Sequence, residues 1–339
     1  MYIRIVSIEN SIIMIKQEWI DKGYINEVVP EGIDLKAEIR RLCEEKNAVV
    51  LAHYYTDGTI QDVADFVGDS LALAQIAEKT TADILVMCGV HFMAETNKIL
   101  SPDKKVLIPD LNAGCSLAES CPAEELAKFK AQHPDHKVVA YVNTSAAVKA
   151  LTDIVVTSTN ARAVVDSFPK DEKIIFAPDK NLGGYLNAVT HRNMLLWDGG
   201  CHVHEQFSIE KIVELKSANP DAKVLAHPEC KSGVLALADF IGSTAAILSY
   251  AEKSDAKQFV VATESGILHE MMKRCPDKEF IPVPPMTGSC ACNECAYMRL
   301  NTLEKLYNTL KYEWPTVELN ESLREDAKRP IVRMLELSK

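Results

Sequence analysis

The chain has 339 residues, a formal charge of −11 and an apolar fraction of 47%, enough for two or three folded cores at roughly 150 residues per domain and too apolar for general disorder. The acidic balance excludes a broad nucleic-acid footprint or an anionic-membrane surface, since both need clustered lysine and arginine. Ten cysteines occur without a secretion signal, so reduced thiols or metal ligands in a cytoplasmic protein are expected rather than a disulfide framework.

Residues 1–33 are apolar only in patches and read as a non-catalytic extension. Asp34 can cap a helix whose apolar face is Leu35, Ile39, Leu42 and Cys43. Ala48 to Ala52 is then a continuous apolar run of the kind found in parallel strands buried on both faces, ending in His53-Tyr54-Tyr55. A Gly68-Asp69-Ser70 turn opens a second helix, strand Asp83 to Cys88 follows, and after a helix around Phe92 to Leu100 comes Val106 to Ile108 and the loop Asn112-Ala113-Gly114-Cys115. The pattern repeats. A helix from Leu117 to about Phe129 leads to strands Lys137 to Tyr141, Asp153 to Val156 and Ile174 to Phe176, and the repeat closes on Gly199-Gly200-Cys201-His202-Val203-His204-Glu205, a turn expected to need glycine's conformational freedom. In the last third, helix Ser208 to Lys216 precedes strands Lys223 to Ala226, Phe259 to Ala262 and Phe280-Ile281, which opens onto Cys290-Ala291-Cys292-Asn293-Glu294-Cys295. Leu300, Leu303, Leu306 and Leu310 mark a closing helix, followed by a helical stretch broken at Pro330.

Two sets of intervals agree. Cys115, Cys201 and Cys295 lie 86 and 94 residues apart, and the strand-end alanines Ala52, Ala140 and Ala226 lie 88 and 86 apart. The period exceeds the 20–50 residues of solenoids, so each repeat is read as an αβα domain with its own small parallel sheet: 34–122, 123–207 and 208–296, with 297–339 as outer helices. In such sheets ligands meet the carboxyl ends of the strands.

Three distant thiolates suit a cluster, and the single local pair Cys292 and Cys295 is poor for structural zinc, but spacing alone leaves a cluster, a zinc site and unliganded thiols open. The C-x-C-x2-C run does not fit the single-loop cysteines of radical chemistry. His53 and His227 each end a buried strand, where a near-neutral pKa suits proton transfer; His133, His136 and His191 sit in polar connections and read as solvated. Tyr55, Tyr141 and Glu229 offer two phenols and a carboxylate at strand ends, and Glu229 would need a pKa raised by burial to work as a base near neutrality. Ser70, Ser158 with Asn160, and Ser243-Thr244 stand where helix N-termini can hold carboxylate or phosphate, or simply cap helices.

From Asp34 to Met298 the chain resembles the quinolinate synthase family, through Ala52-His53-Tyr54-Tyr55, Gly68-Asp69-Ser70, Phe92-Met93-Ala94-Glu95-Thr96, Asn112-Ala113-Gly114-Cys115-Ser116, Tyr141-Val142-Asn143, Gly200-Cys201-His202-Val203-His204, His227-Pro228-Glu229-Cys230 and Cys295-Ala296-Tyr297-Met298. The resemblance implies three pseudo-symmetric αβα domains around a [4Fe-4S] cluster, and condensation of iminoaspartate with dihydroxyacetone phosphate, losing phosphate and two waters. It implies Cys115, Cys201 and Cys295 as cluster ligands, and Tyr55 and Glu229 as acid–base residues at the open iron. His53, His204 and His227 would bind or protonate substrate oxygens, Tyr141 and Asn143 would line the pocket, and Ser70, Ser158, Ser243 and Thr244 would hold carboxylate and phosphate, with Glu264 behind them. An aspartate-oxidising enzyme is the implied supplier. The run Cys290 to Cys295 departs from the C-x2-C-x2-C of some members, and His202 is left without a role. A cluster-bearing sensor and a zinc hydrolase built on Cys201, His202 or His204 and His227 are the other classes these residues admit.

Overall fold

The computed structural model describes residues 4–8, 11–286 and 293–338; Cys290 and Cys292 lie outside them. The chain divides into two compact units, one of Met1–Gly68, Ala72–Gly114 and Ala296–Leu319, the other of Asp69–Leu71, Cys115–Cys295 and Asn320–Lys339.

In the first unit a hairpin of β1 (Arg4–Ile8) and β2 (Ser11–Ile15) leads into a helix, Gln17–Lys22, which Gly23 ends at φ 76° with its N–H on the Trp19 carbonyl. Ile15, Trp19 and Ile25 form a small core with Tyr312 and Trp314, so this segment packs as part of its unit. It also grips the loop before Cys115, since Leu111 N–H donates to the Gly23 carbonyl and the Asn112 amide to that of Lys22. The sheet that follows is parallel, β3 (Ala48–His53), β4 (Phe66–Gly68), β5 (Ile84–Cys88) and β6 (Lys105–Leu107), in the order β4-β3-β5-β6. Its core joins Ile39, Leu42, Val50, Ala52, Val86 and Leu107 to Leu306, Tyr307 and Leu310 of helix Leu303–Tyr312.

That helix ends at Glu313 (φ 51°), whose carboxylate meets Lys46 at 2.7 Å and also Lys105. Burial opposes its charge most strongly, yet the two ammonium groups together hold the carboxyl below its ordinary 4.5. Stability gained this way is present above pH 4.5 and is lost as the pH falls through the lower folded value. Glu313→Gln should cost about 2 kcal/mol at neutral pH, and urea midpoints of mutant and wild type should converge in acid.

The second unit holds two more parallel sheets. One comprises β7 (Lys137–Tyr141), β8 (Ile154–Val156), β9 (Ile174–Ala177) and β10 (Leu195–Leu196); the other β11 (Lys223–Ala226), β12 (Phe240–Ile241), β13 (Gln258–Ala262) and β14 (Glu279–Pro282). Their orders, β10-β9-β7-β8 and β12-β11-β13-β14, repeat the first sheet's topology, with the second strand at one edge and the first beside the third. The protein is thus α/β with three small four-stranded parallel sheets. An aspartate marks the repeat: Asp65, Asp153 and Asp239, each just before or at the start of a second strand, accept from the backbone N–H of Val50, Val138 and Val224 at 2.7, 2.8 and 2.8 Å. Their separations of 88 and 86 residues match those of the strand-end alanines.

Three sequence expectations change. Each sheet has four strands where three were expected, because β4, β10 and β12 are only two or three residues long and carry little periodicity. The helix expected from Leu117 to Phe129 is two, Ser116–Glu119 and Ala123–Gln132, since Pro122 lacks the N–H needed to continue the first. Pro330, in contrast, lies inside one helix, Glu321–Glu336. Burial of Ala327, Ile331, Met334 and Leu335 outweighs the roughly 3 kcal/mol that an internal proline costs. No helix among the described residues is long and apolar enough to cross a membrane.

Candidate active site

The three cysteine loops are built alike. In each repeat, the residue three positions past the end of the third strand donates its N–H to the carbonyl two residues before the cysteine: His91 to Ala113 (2.7 Å), Lys180 to Gly199 (2.9 Å) and Ser265 to Asn293 (3.3 Å). Cys115, Cys201 and Cys295 are therefore equivalent positions, and all three are partly buried cysteines. One residue earlier on the same turn stand Val90, Asp179 and Glu264. Glu264 accepts from the N–H of Cys295 at 3.0 Å and of Gly266 at 2.6 Å. Asp179 is fully buried; burial, then Glu229, push its carboxyl well above its ordinary range against the opposing backbone N–H groups of Leu182, Cys201 and Asn181. Ser116 Oγ lies 2.7 Å from His202 Nδ1, tying the Cys115 loop to the Cys201 loop. His202 thus has a structural partner that its sequence did not disclose.

Gly199 is required for a different reason from the one its sequence suggests. It does not adopt a positive φ; rather, a Cβ there would lie 2.5 Å from the Pro178 carbonyl oxygen and 2.4 Å from Ser120 Oγ. Close approach, not a left-handed turn, excludes a side chain.

Burial pushes the Cys115 thiol up to about 12, with Cys295 and Glu229 adding to the effect. Burial likewise carries Cys201 well above its ordinary value, reinforced by Glu229 and Cys115. Such thiols are poor free nucleophiles and deprotonate when a cation binds them. The sulfur of Cys201, a nitrogen of His204 and an oxygen of Glu229 lie within 4.8 Å of one another, a group able to face a metal. Cys295 acts on Cys115, and Cys115 on Cys201, so the three equivalent thiols form a donor set suited to a soft metal centre.

Beside the cysteines, Glu229 is 3% exposed and uses both carboxylate oxygens. Oε1 accepts from the Tyr141 hydroxyl at 2.5 Å, and Oε2 lies 3.0 Å from His204 Nδ1. His204 Nε2 is 3.0 Å from Thr263 Oγ1, so the ring is held between the threonine and the carboxylate. Burial is the strongest influence on Glu229 and raises its pKa, but His204, His227 and the two hydrogen bonds together bring it below the usual carboxylate range. The raised pKa that base catalysis near neutrality would need is thus not what the surroundings of this residue produce. Burial was the only cause visible in sequence; besides His227, the partners that overcome it are His204, in a short 3-10 helix 25 residues earlier, and Tyr141, at a strand end 88 residues earlier.

His227 Nδ1 accepts from the Glu229 N–H at 3.3 Å, which leaves the proton on Nε2, 3.2 Å from Ser158 Oγ. The His204 and His227 rings lie 4.8 Å apart. Ser243 caps helix Thr244–Lys253 and accepts at 2.9 Å from Thr159 Oγ1, which also reaches Asp69 at 2.7 Å. Thr244 is buried, and Ser70, beside Asp69, opens helix Ser70–Lys79. Asn143 is half-buried on the loop after Tyr141.

In the first unit the same strand-end turn recurs: Tyr55 N–H donates to His53 Nδ1 at 3.1 Å, and the two rings meet edge to face at 4.6 Å. Tyr54 is buried, whereas Tyr55 is partly exposed. The repeat interval aligns Tyr55 with Asn143 and Glu229, and His53 with Tyr141 and His227, so Tyr141 does not occupy the same position as Tyr55. Sequence reasoning passed over Thr159, Thr263, Asp179 and Asp69. The recurring Ala64-Asp65-Phe66-Val67-Gly68 and Ala238-Asp239-Phe240-Ile241-Gly242 could have marked the short second strands whose ends carry Asp69, Thr159 and Ser243.

Residues 37–336 match the profile of NadA, quinolinate synthetase A protein. The chain is 60% identical over 306 residues to quinolinate synthase of Nostoc punctiforme, covering 90% of this chain and 94% of that one. It is 60% identical over 307 residues to the Chloroherpeton thalassium enzyme, covering 91% and 95%, and 58% identical over 309 residues to that of Thermosynechococcus vestitus, covering 91% and 97%. With this similarity running through all three repeated sheets and their cysteine loops, the chain belongs to the quinolinate synthase family, enzymes of NAD biosynthesis.

Proposed function

We propose that the enzyme condenses iminoaspartate with dihydroxyacetone phosphate, releasing phosphate and two waters, at a [4Fe-4S] cluster held by Cys115, Cys201 and Cys295. The observation that supports this most is the identical backbone bond two residues before each cysteine. When bound, a cluster with three protein thiolates leaves one iron open as a Lewis acid for substrate oxygens. Glu229 is the proton acceptor: it is already a carboxylate, and displacement of the Tyr141 hydroxyl by substrate would increase its basicity. His204 steadies that carboxylate through Nδ1, and His227 offers its Nε2 proton to a substrate oxygen. Ser158, Ser243, Thr244 and Ser70 hold carboxylate or phosphate, with Thr159 joining Ser243 to Asp69. Tyr55 and His53 supply acid–base groups from the first repeat, and Asn143 lines the pocket.

In this reading the domains are 34–122, 123–207 and 208–296, preceded by the segment 1–33 and followed by the helices of 297–339. The enzyme works in the cytoplasm with an aspartate-oxidising enzyme as supplier. Protein purified without oxygen should contain about four irons per chain, absorb broadly in the visible, and convert the two substrates to quinolinate. One zinc per chain, or a cluster without turnover, would overturn the assignment.

A further inference from the structure

Two repeats contain the same clamp beneath their strand-end loops. Gln61, 2% exposed on helix Gly58–Val63, donates its amide to the carbonyls of Tyr54 at 3.0 Å and Thr56 at 2.9 Å. Lys149, fully buried on helix Ala146–Ala150 and 88 residues later, donates to the carbonyls of Val142 at 2.9 Å and of Thr144. The helices themselves start 88 residues apart, so the two side chains occupy one register. The gripped carbonyls flank Tyr55 in one loop and Asn143 in the other. Each loop is also closed by its threonine, Thr56 Oγ1 donating to the His53 carbonyl at 2.9 Å and Thr144 Oγ1 to that of Tyr141 at 3.2 Å.

The third repeat shows what replaces the clamp. At the same register its helix, Ser232–Leu235, carries Leu235, and its loop carries Pro228 where the others have Tyr54 and Val142. Proline fixes φ within the loop itself. A buried lysine is an expensive way to satisfy two carbonyls, and a glutamine performs the same task in the neighbouring repeat.

We propose that Gln61 and Lys149 are positioning residues that fix the backbone on either side of Tyr55 and Asn143, and so the direction in which these side chains meet substrate. The inference rests on the proposed function for its kinetic reading only. Because the repeats share one geometry, Lys149→Gln should substitute for lysine, whereas Lys149→Met, of similar length without a donor, should not. Anaerobic kinetics are expected to show kcat/KM reduced at least tenfold in Lys149→Met and in Gln61→Met, with KM raised and iron content unchanged, and within about threefold of wild type in Lys149→Gln. Hydrogen exchange at the amides of residues 142–145 should quicken in Lys149→Met and return to the wild-type rate in Lys149→Gln.

Wild-type kinetics in Lys149→Met, or Lys149→Gln as impaired as Lys149→Met, would overturn the proposal. If Lys149→Met does not fold, Lys149→Gln and Gln61→Met decide it alone: a tenfold loss in the first or none in the second is fatal. A wild-type enzyme that makes no quinolinate would refute the proposed function, and the exchange rates would then decide the clamp separately.

Discussion

Glu229→Gln is expected to lower the rate of quinolinate formation by about 10²–10⁴-fold, the usual contribution of a positioned acid–base group, while iron per chain stays at the wild-type level. The carboxylate accepts from the Tyr141 hydroxyl on one oxygen and lies 3.0 Å from His204 Nδ1 on the other. A glutamine keeps one acceptor oxygen but loses the charge that lies near the His204 and His227 rings in a buried site. The amide also cannot take a proton. Tyr141→Phe, which removes a single donor and leaves the carboxylate intact, should cost less, about tenfold. Steady-state assays without oxygen, alongside iron analysis, separate the two variants. If Glu229→Gln kept more than a tenth of wild-type turnover, Glu229 would be removed from proton transfer.

The repeat and its chemistry were legible in the sequence to different depths. Long strands such as β3, β5 and β13 announce themselves as unbroken apolar runs, because both faces are covered and nothing polar is needed. The two-residue β10 and β12 lack the length to show any period; only their pairing to a long neighbour makes them strands. The equal spacing of Ala52, Ala140 and Ala226 located the strand ends, and hence His53, Tyr141 and His227. What each end touches depends on loops brought together from far along the chain. Thr263 behind His204, Ser158 before His227 and Thr159 between Asp69 and Ser243 are pairs separated by 59 to 90 residues, and no local pattern records them. The sign of the Glu229 shift was illegible for the same reason: composition shows that a strand-end acid will be buried, but not that two histidines and a phenol will surround it.

The choice among the last three cysteines leads to the other large expected effect. Under the proposed function, Cys295→Ser should lose the cluster and the activity together, at least a thousandfold in turnover, whereas Cys290→Ser and Cys292→Ser should keep both. The argument is one of register. Asn293 takes the Ser265 N–H just as Ala113 takes that of His91 and Gly199 that of Lys180, which places Cys295, two residues further on, at the position of Cys115 and Cys201. Glu264 then accepts the backbone N–H of Cys295 and fixes the residue from behind. A shift to Cys292 would put the cysteine before the anchored carbonyl rather than after it, where neither other repeat has one. Serine preserves the size of the side chain but is a far weaker ligand for iron than thiolate. Iron and sulfide content, the visible absorbance and the thermal midpoint of each variant purified without oxygen would decide it. A cluster that survives Cys295→Ser but not Cys292→Ser would show that the third arm breaks the repeat.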